Sequence, residues 1–334
     1  MKNKEKNFVS AVIYVHNAQQ RIDVFLHTII EVMESNFEHS EIICVNDSSD
    51  DNSLSVIKKV SEDAKKTSVS VVNMSYFHGL ESAMNAGVDM AIGDFVFGFD
   101  NTNLDFDADV IMQIYRHSLE GYDIVSASPD KREKFTSRLF YRVFDRFTNI
   151  SYGMATESFR ILSRRVINRI SSMNKGVLYR KALYANCGLK TDNIKYSVKE
   201  TSMYSMDKKE KNYRAGLAVD SLILFTEVGY RFSMTMTMMM MVMTLFVIAY
   251  TVITYFMVNP VAGWTTTILF LSVCFFGLFG ILTIIIKYLQ LLVDMVFKKK
   301  HYSFESIEKL TKEWRENQYE CTCRRHRFCW KYFV

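Results

Sequence analysis

Between Phe232 and Ile286 the chain contains no Lys, Arg, Asp or Glu. Soluble helices keep a charged face toward water, so a run this long without charge belongs in hydrocarbon. Ser233 to Val258 would make a helix of about 39 Å, enough to cross a bilayer with some tilt. Asn259-Pro260 then ends the helix, because proline cannot continue the hydrogen-bond ladder. A second uncharged run follows from Thr265 to Ile286, after a short link without charge. Two such helices so closely joined form a hairpin whose ends lie on one side. Arg231 precedes it, and Lys287, Lys298, Lys299 and Lys300 follow. By the excess of basic residues that side is the cytoplasm. The expectation is two transmembrane helices, 232–258 and 264–287, in a bacterial inner membrane with both termini cytoplasmic. The methionine-rich start, Met234 to Met243, reads as apolar filler facing lipid.

The remaining charge is unevenly shared. Residues 287–334 hold 11 Lys and Arg against 6 Asp and Glu, so the whole net charge of +5 sits in this tail. The part before the hairpin is neutral. Nucleic acid needs a basic footprint on the folded domain and is excluded as the main partner. A basic tail over 288–334 suits an anionic lipid surface.

The first 130 residues alternate between two periods. Phe8–Val15 is a continuous apolar strand, and Ile22, Phe25, Leu26, Ile29, Ile30 and Met33 then recur at helical spacing. Strands at Ile42–Val45, Val69–Met74, Phe95–Phe99 and Asp123–Ala127 are separated by helical stretches at Leu54–Val60, Glu81–Ala91 and Val110–Leu119. This order predicts an α/β fold with parallel βαβ units in one doubly wound sheet. Ligands of such sheets bind beyond the carboxyl ends of the strands. Here those ends are His16-Asn17, Asn46-Asp47 and Asp100-Asn101. No glycine-rich dinucleotide fingerprint or P-loop is present. Carboxylates at strand ends can instead hold a nucleoside edge, or a cation against a pyrophosphate.

The order of these segments resembles the family 2 glycosyltransferases. The resemblance rests on Val9–Ile13 with Asn17, on Glu41 to Asp50, on His78 to Asp94, on Phe99-Asp100-Asn101-Thr102, and on Ser158 to Arg165. Gly263-Trp264-Thr265 and Lys287-Tyr288-Leu289 resemble the two-helix anchor of the polyprenyl-phosphate branch. It implies a GT-A domain, a Rossmann-like, mostly parallel sheet flanked by helices, over 1–190. An amphipathic acceptor-side segment over 191–231 would lead into the hairpin. It also implies an inverting transfer from a nucleotide sugar, UDP-linked by expectation, to a polyprenyl phosphate. Asn17, Asn46, Asp47, Gly79, Glu81, Asp100 and Thr102 would line the donor. Asp100, Ser158 and Arg160 would serve the reaction centre, with Arg160 stabilising the leaving diphosphate. Related members form oligomers, so homo-oligomerisation is expected by analogy.

The sequence departs from that pattern. Asn46 stands for the first Asp of the strand-2 motif. Thr102 stands for the second Asp of Asp-x-Asp, which in the family ligates Mg²⁺ or Mn²⁺. A neutral hydroxyl is a poorer ligand for a hard cation. Three readings stay open: Asp100, with Thr102 or with Asp105, holds a weakened cation site, arginines neutralise the leaving group instead, or the site is dead. Acceptors other than polyprenyl phosphate, and a non-catalytic scaffold, stay open with them. The stretch Lys131–Phe147 carries Arg138, Arg142 and Arg146 on one helical row. Arg138, Lys211 and Arg214 are the candidates for binding the lipid phosphate near the bilayer.

Overall fold

The computed structural model describes residues 4–130, 156–172, 180–199 and 304–311, with scattered helical positions between 212 and 292. Its centre is β1, Val9–Val15, buried along its whole length. Val9, Ala11, Ile13 and Val15 join one core cluster, and Val12 and Tyr14 join another. A strand covered on both faces reads as an unbroken apolar run, which is why Val9–Val15 carries no period-2 pattern.

Around β1 lie β2 (Ser40–Asn46), β3 (Ser68–Met74) and β4 (Phe95–Phe99). The remaining strands are β5 (Ile124–Pro129), β6 (Phe159–Ser163), β7 (Thr191–Tyr196) and β8 (Phe304–Lys309). The sheet runs β7-β5-β6-β4-β1-β2-β3-β8. The pairs β1–β2, β1–β4, β2–β3 and β5–β7 are parallel. Those of β6 with β4 and β5, and of β8 with β3, are antiparallel.

Helices α1 (Ile22–Asn36), α2 (Ser53–Ser61) and α4 (Ala108–Leu119) cover one face. Helices α3 (Leu80–Met90), α5 (Arg164–Ser172) and α6 (Arg180–Asn186) cover the other. Helix α3 lies close on the sheet at Gly87, where an added Cβ would meet Val12 Cγ1 at 2.4 Å and Val45 Cγ2 at 2.6 Å.

The α/β class and the alternation of elements up to β5 follow the sequence reading. Three differences concern the sheet's composition. β5 does not sit beside β4, because β6 enters antiparallel between them. The tail also holds a strand that sequence reasoning placed in a loose basic segment: β8 covers the edge of β3. β7 extends the sheet past residue 190.

Among the described residues no helix is long and apolar enough to cross a membrane. The expected hairpin falls mostly outside them. The positions described there are helical and leave Met239, Val242, Phe246, Leu271, Leu278, Leu282 and Ile285 exposed.

Candidate active site

The parallel strands β1, β2, β3 and β4 end on one edge of the sheet, and the polar strand-end residues meet there. Asp47 follows β2 and is fully buried. Its Oδ1 accepts from the His78 N–H at 2.8 Å. Its Oδ2 accepts from the Gly79 N–H at 2.8 Å and from the Tyr14 hydroxyl at 3.1 Å. Burial raises the Asp47 pKa, and these donors work against that rise. Asp47 therefore ties the loop before α3 to the end of β2. Gly79 has φ of +81°, and a Cβ there would fall 2.2 Å from the Tyr213 ring. Only glycine meets both conditions.

The loops after β1 and β2 are fastened to one another. Asn17, at φ of 45°, donates its N–H to Ser49 Oγ at 3.2 Å and accepts from the Asp50 N–H at 2.9 Å. His16 Nδ1 donates to the Asp47 carbonyl at 2.7 Å. Asn46 Nδ2 donates to Asn73 Oδ1 at 3.0 Å, and Asn73 Nδ2 donates to Ser306 Oγ at 2.9 Å. The amide at position 46 is thus one link in a chain reaching β8, a link that a carboxylate could not donate.

A buried ionic cluster forms at the end of β4. The β4–β6 register pairs Gly98 with Arg160, and the β5–β6 register pairs Ser126 with it. Small residues on both sides leave room for the guanidinium on that face. Arg160 Nη2 donates to Asp100 Oδ2 at 2.7 Å and lies 3.1 Å from Glu157 Oε2. Arg180, at the start of α6, donates from Nη2 to Asp100 Oδ1 at 2.8 Å. Its Nε and backbone N–H both donate to Glu81 Oε2, at 2.8 and 2.9 Å. Arg160 and Arg180 are 2% and 3% exposed. Burial pushes the Asp100 pKa upward, but the two guanidiniums prevail and hold it at about 2. The same pairing raises the pKa of both arginines against the desolvation that would lower them. The Tyr184 ring lies 5.3 Å from the Arg160 guanidinium carbon. Among the described residues, Arg160 Nε and Nη1 are buried with no hydrogen-bond partner.

Ser158 is bound into another chain of contacts. Its backbone carbonyl accepts from the Asp100 N–H at 3.4 Å. Its hydroxyl lies 2.6 Å from Tyr196 Oη, which donates to Asp105 Oδ1 at 3.0 Å. Thr102 is buried at 3% exposure. The pair expected for a cation, Asp100 and Thr102, does not fit one as arranged. Both Asp100 oxygens are held by guanidinium groups, and Thr102 adds no charge. Among the described residues, no three His, Cys, Asp or Glu converge on a metal position.

The fold thus brings Asn17, Asn46, Asp47, Gly79, Glu81, Asp100, Thr102, Ser158 and Arg160 to one edge of the sheet. Arg138, Lys211 and Arg214 lie outside the described residues. Arg180 was missed by sequence reasoning. It belongs to no motif quoted above, and only its partner Glu81, a carboxylate in an otherwise apolar helix face, hinted that a buried cation was needed.

Comparison with known proteins adds a family. Residues 10–171 match glycosyl transferase family 2. An uncharacterized glycosyltransferase of Synechocystis is 31% identical over 186 residues, 54% of this chain and 58% of its own length. The bactoprenol glucosyl transferase of Shigella phage SfV is 26% identical over 278 residues, 80% of this chain and 88% of its own. Among solved structures, glucosyl-3-phosphoglycerate synthase from Mycobacterium tuberculosis, in complex with Mn²⁺, UDP and phosphoglyceric acid, superposes with a TM-score of 0.47. It is 13% identical and the match covers 65% of this chain and 78% of that one.

Proposed function

The chain carries a glycosyl transferase family 2 domain, and from that premise we propose that it is a membrane-anchored, inverting glycosyltransferase. It takes a sugar from a nucleotide donor, UDP-linked in the first instance, and delivers it to polyprenyl phosphate at the cytoplasmic leaflet. The observation that carries this reading is Asp100, fixed and ionised at the end of β4 where the family places its donor-side carboxylate.

The acceptor reading has two supports. A match covering 80% of the chain has to take in the first uncharged helix, whichever end it omits, so likeness to a bactoprenol glucosyl transferase extends beyond the family 2 domain. The described helical positions in the uncharged stretch also present large apolar side chains outward, as a lipid-facing helix does. β8 bears on topology. It pairs with β3 in the sheet built by β1–β7, so the chain before and after the uncharged stretch belongs to one sheet. An even number of crossings meets that requirement and a single crossing does not.

The chemistry needs little from the protein beyond placement. A phosphate monoester has a second pKa of about 6 and is already nucleophilic at neutral pH. Its oxygen forms the new bond to the sugar C1 while the bond from C1 to the diphosphate breaks. The bonding pair departs with the nucleoside diphosphate, and no proton has to move. The protein holds acceptor and donor in line and stabilises the charge that builds on the diphosphate. Full-length protein in nanodiscs, given undecaprenyl phosphate and a panel of UDP- and GDP-sugars, should release nucleoside diphosphate only when the lipid is present. Asp100→Asn should lower that release by at least 100-fold. Release without lipid, or none with any donor, would refute the proposal.

A further inference from the structure

We propose that Arg160 and Arg180 stand on Asp100 where a divalent cation would otherwise bind, so that the donor diphosphate is held without a metal ion. The inference rests on reading this edge as the donor site. Its ground is the geometry of one carboxylate. Asp100 Oδ2 accepts from Arg160 at 2.7 Å and Oδ1 from Arg180 at 2.8 Å, so each oxygen already faces a positive charge. A cation approaching Asp100 would have to displace a buried guanidinium and leave it unpaired, which is strongly unfavourable. The usual second carboxylate is missing as well, since Thr102 occupies its place.

The packing around Asp100 holds the two arginines in place. Glu157 shares Arg160 Nη2 with Asp100, and Glu81 takes Arg180 Nε while Asp100 takes its Nη2, so carboxylates hold both guanidiniums at Asp100. Gly98 and Ser126 leave the room beside Arg160 on the sheet. Arg160 also retains buried N–H groups on Nε and Nη1 without a partner among the described residues. Buried cationic donors in that state call for an acceptor, and the diphosphate oxygens leaving C1 are acceptors of the right charge. The transfer balances as before. The electron pair of the broken C1–O bond stays on the diphosphate, and guanidinium hydrogen bonds rather than a metal offset its charge.

The test separates this claim from the activity itself. UDP and GDP binding to full-length protein in nanodiscs would be titrated in EDTA and again in Mn²⁺, with free Mn²⁺ followed by its electron paramagnetic resonance signal. The expected result is a nucleotide affinity within threefold between the two conditions and no uptake of Mn²⁺ with nucleotide. A tenfold or greater loss of affinity in EDTA, restored by Mn²⁺, overturns the inference even if turnover is robust. Metal-independent binding without turnover leaves the inference standing and defeats the proposed transfer. No nucleotide binding in either condition defeats both. The double variant Thr102→Asp with Arg180→Gln offers a second carboxylate and frees Asp100 Oδ1. It should gain nucleotide-dependent Mn²⁺ uptake that wild type lacks. Should it fail to fold, the wild-type comparison still decides.

Discussion

At the scale of single residues, the site is governed by carboxylates with unequal roles. The Asp47 carboxyl is held by three uncharged donors, the His78 and Gly79 N–H groups and the Tyr14 hydroxyl. Asp47→Ala would leave two backbone N–H groups buried without an acceptor. The loss is about 2–3 kcal/mol of stability, readable as a lower unfolding temperature in detergent. Asp100 has cationic partners, and the sign of its pH effect follows. Its folded pKa of about 2 lies below the roughly 3.9 of an unfolded chain. Its contribution to stability is therefore complete above about pH 4 and disappears as pH falls through 2. Calorimetry between pH 5 and 2 should show a shallower acid slope for Asp100→Asn than for wild type. Much of this was legible beforehand, because strand ends are where an α/β sheet exposes its chemistry, and Asp47 and Asp100 sit one residue past β2 and β4. What was hidden was pairing. That Asn46 hands its amide proton to Asn73, and that Arg180 reaches Asp100 from another helix, depend on contacts across 27 and 80 residues of sequence.

At the scale of elements, register and close approach do the placing. β6 returns antiparallel and pairs Phe159 with Phe99, which brings Arg160 within reach of Asp100. The repeated strand-helix pattern to its left gave no sign of that reversal, since a five-residue strand has the same look in either direction. Helix α3 depends on Gly87. Gly87→Ala puts a methyl group at 2.4 Å from Val12 and 2.6 Å from Val45. Overpacking of that kind costs about 1–3 kcal/mol, and the helix would move away from the sheet, carrying Glu81 away from Arg180. Both a lower unfolding temperature and weaker UDP binding are expected, whereas Gly121→Ala, which meets nothing within 4 Å, should lose stability only through its positive φ and leave UDP affinity unchanged.

The whole molecule is a sheet whose last strand comes from beyond the uncharged stretch. Cysteine placed at Ala262, in a background without the native cysteines, should react in intact cells with a membrane-impermeant maleimide. Cysteine at Ser303 should react only after lysis. Labelling of both from outside would remove the hairpin topology. β8 also bears on how the protein is made. The edge of β3 leaves the ribosome about 230 residues before its partner, an interval of roughly 10–50 s at ordinary elongation rates. For that time the nascent sheet has an open edge able to pair with other chains, and it closes only after the apolar segments have emerged. On the proposed hairpin topology, insertion into the bilayer would precede completion of the sheet, and a pause in translation between the two would be a hazard for aggregation.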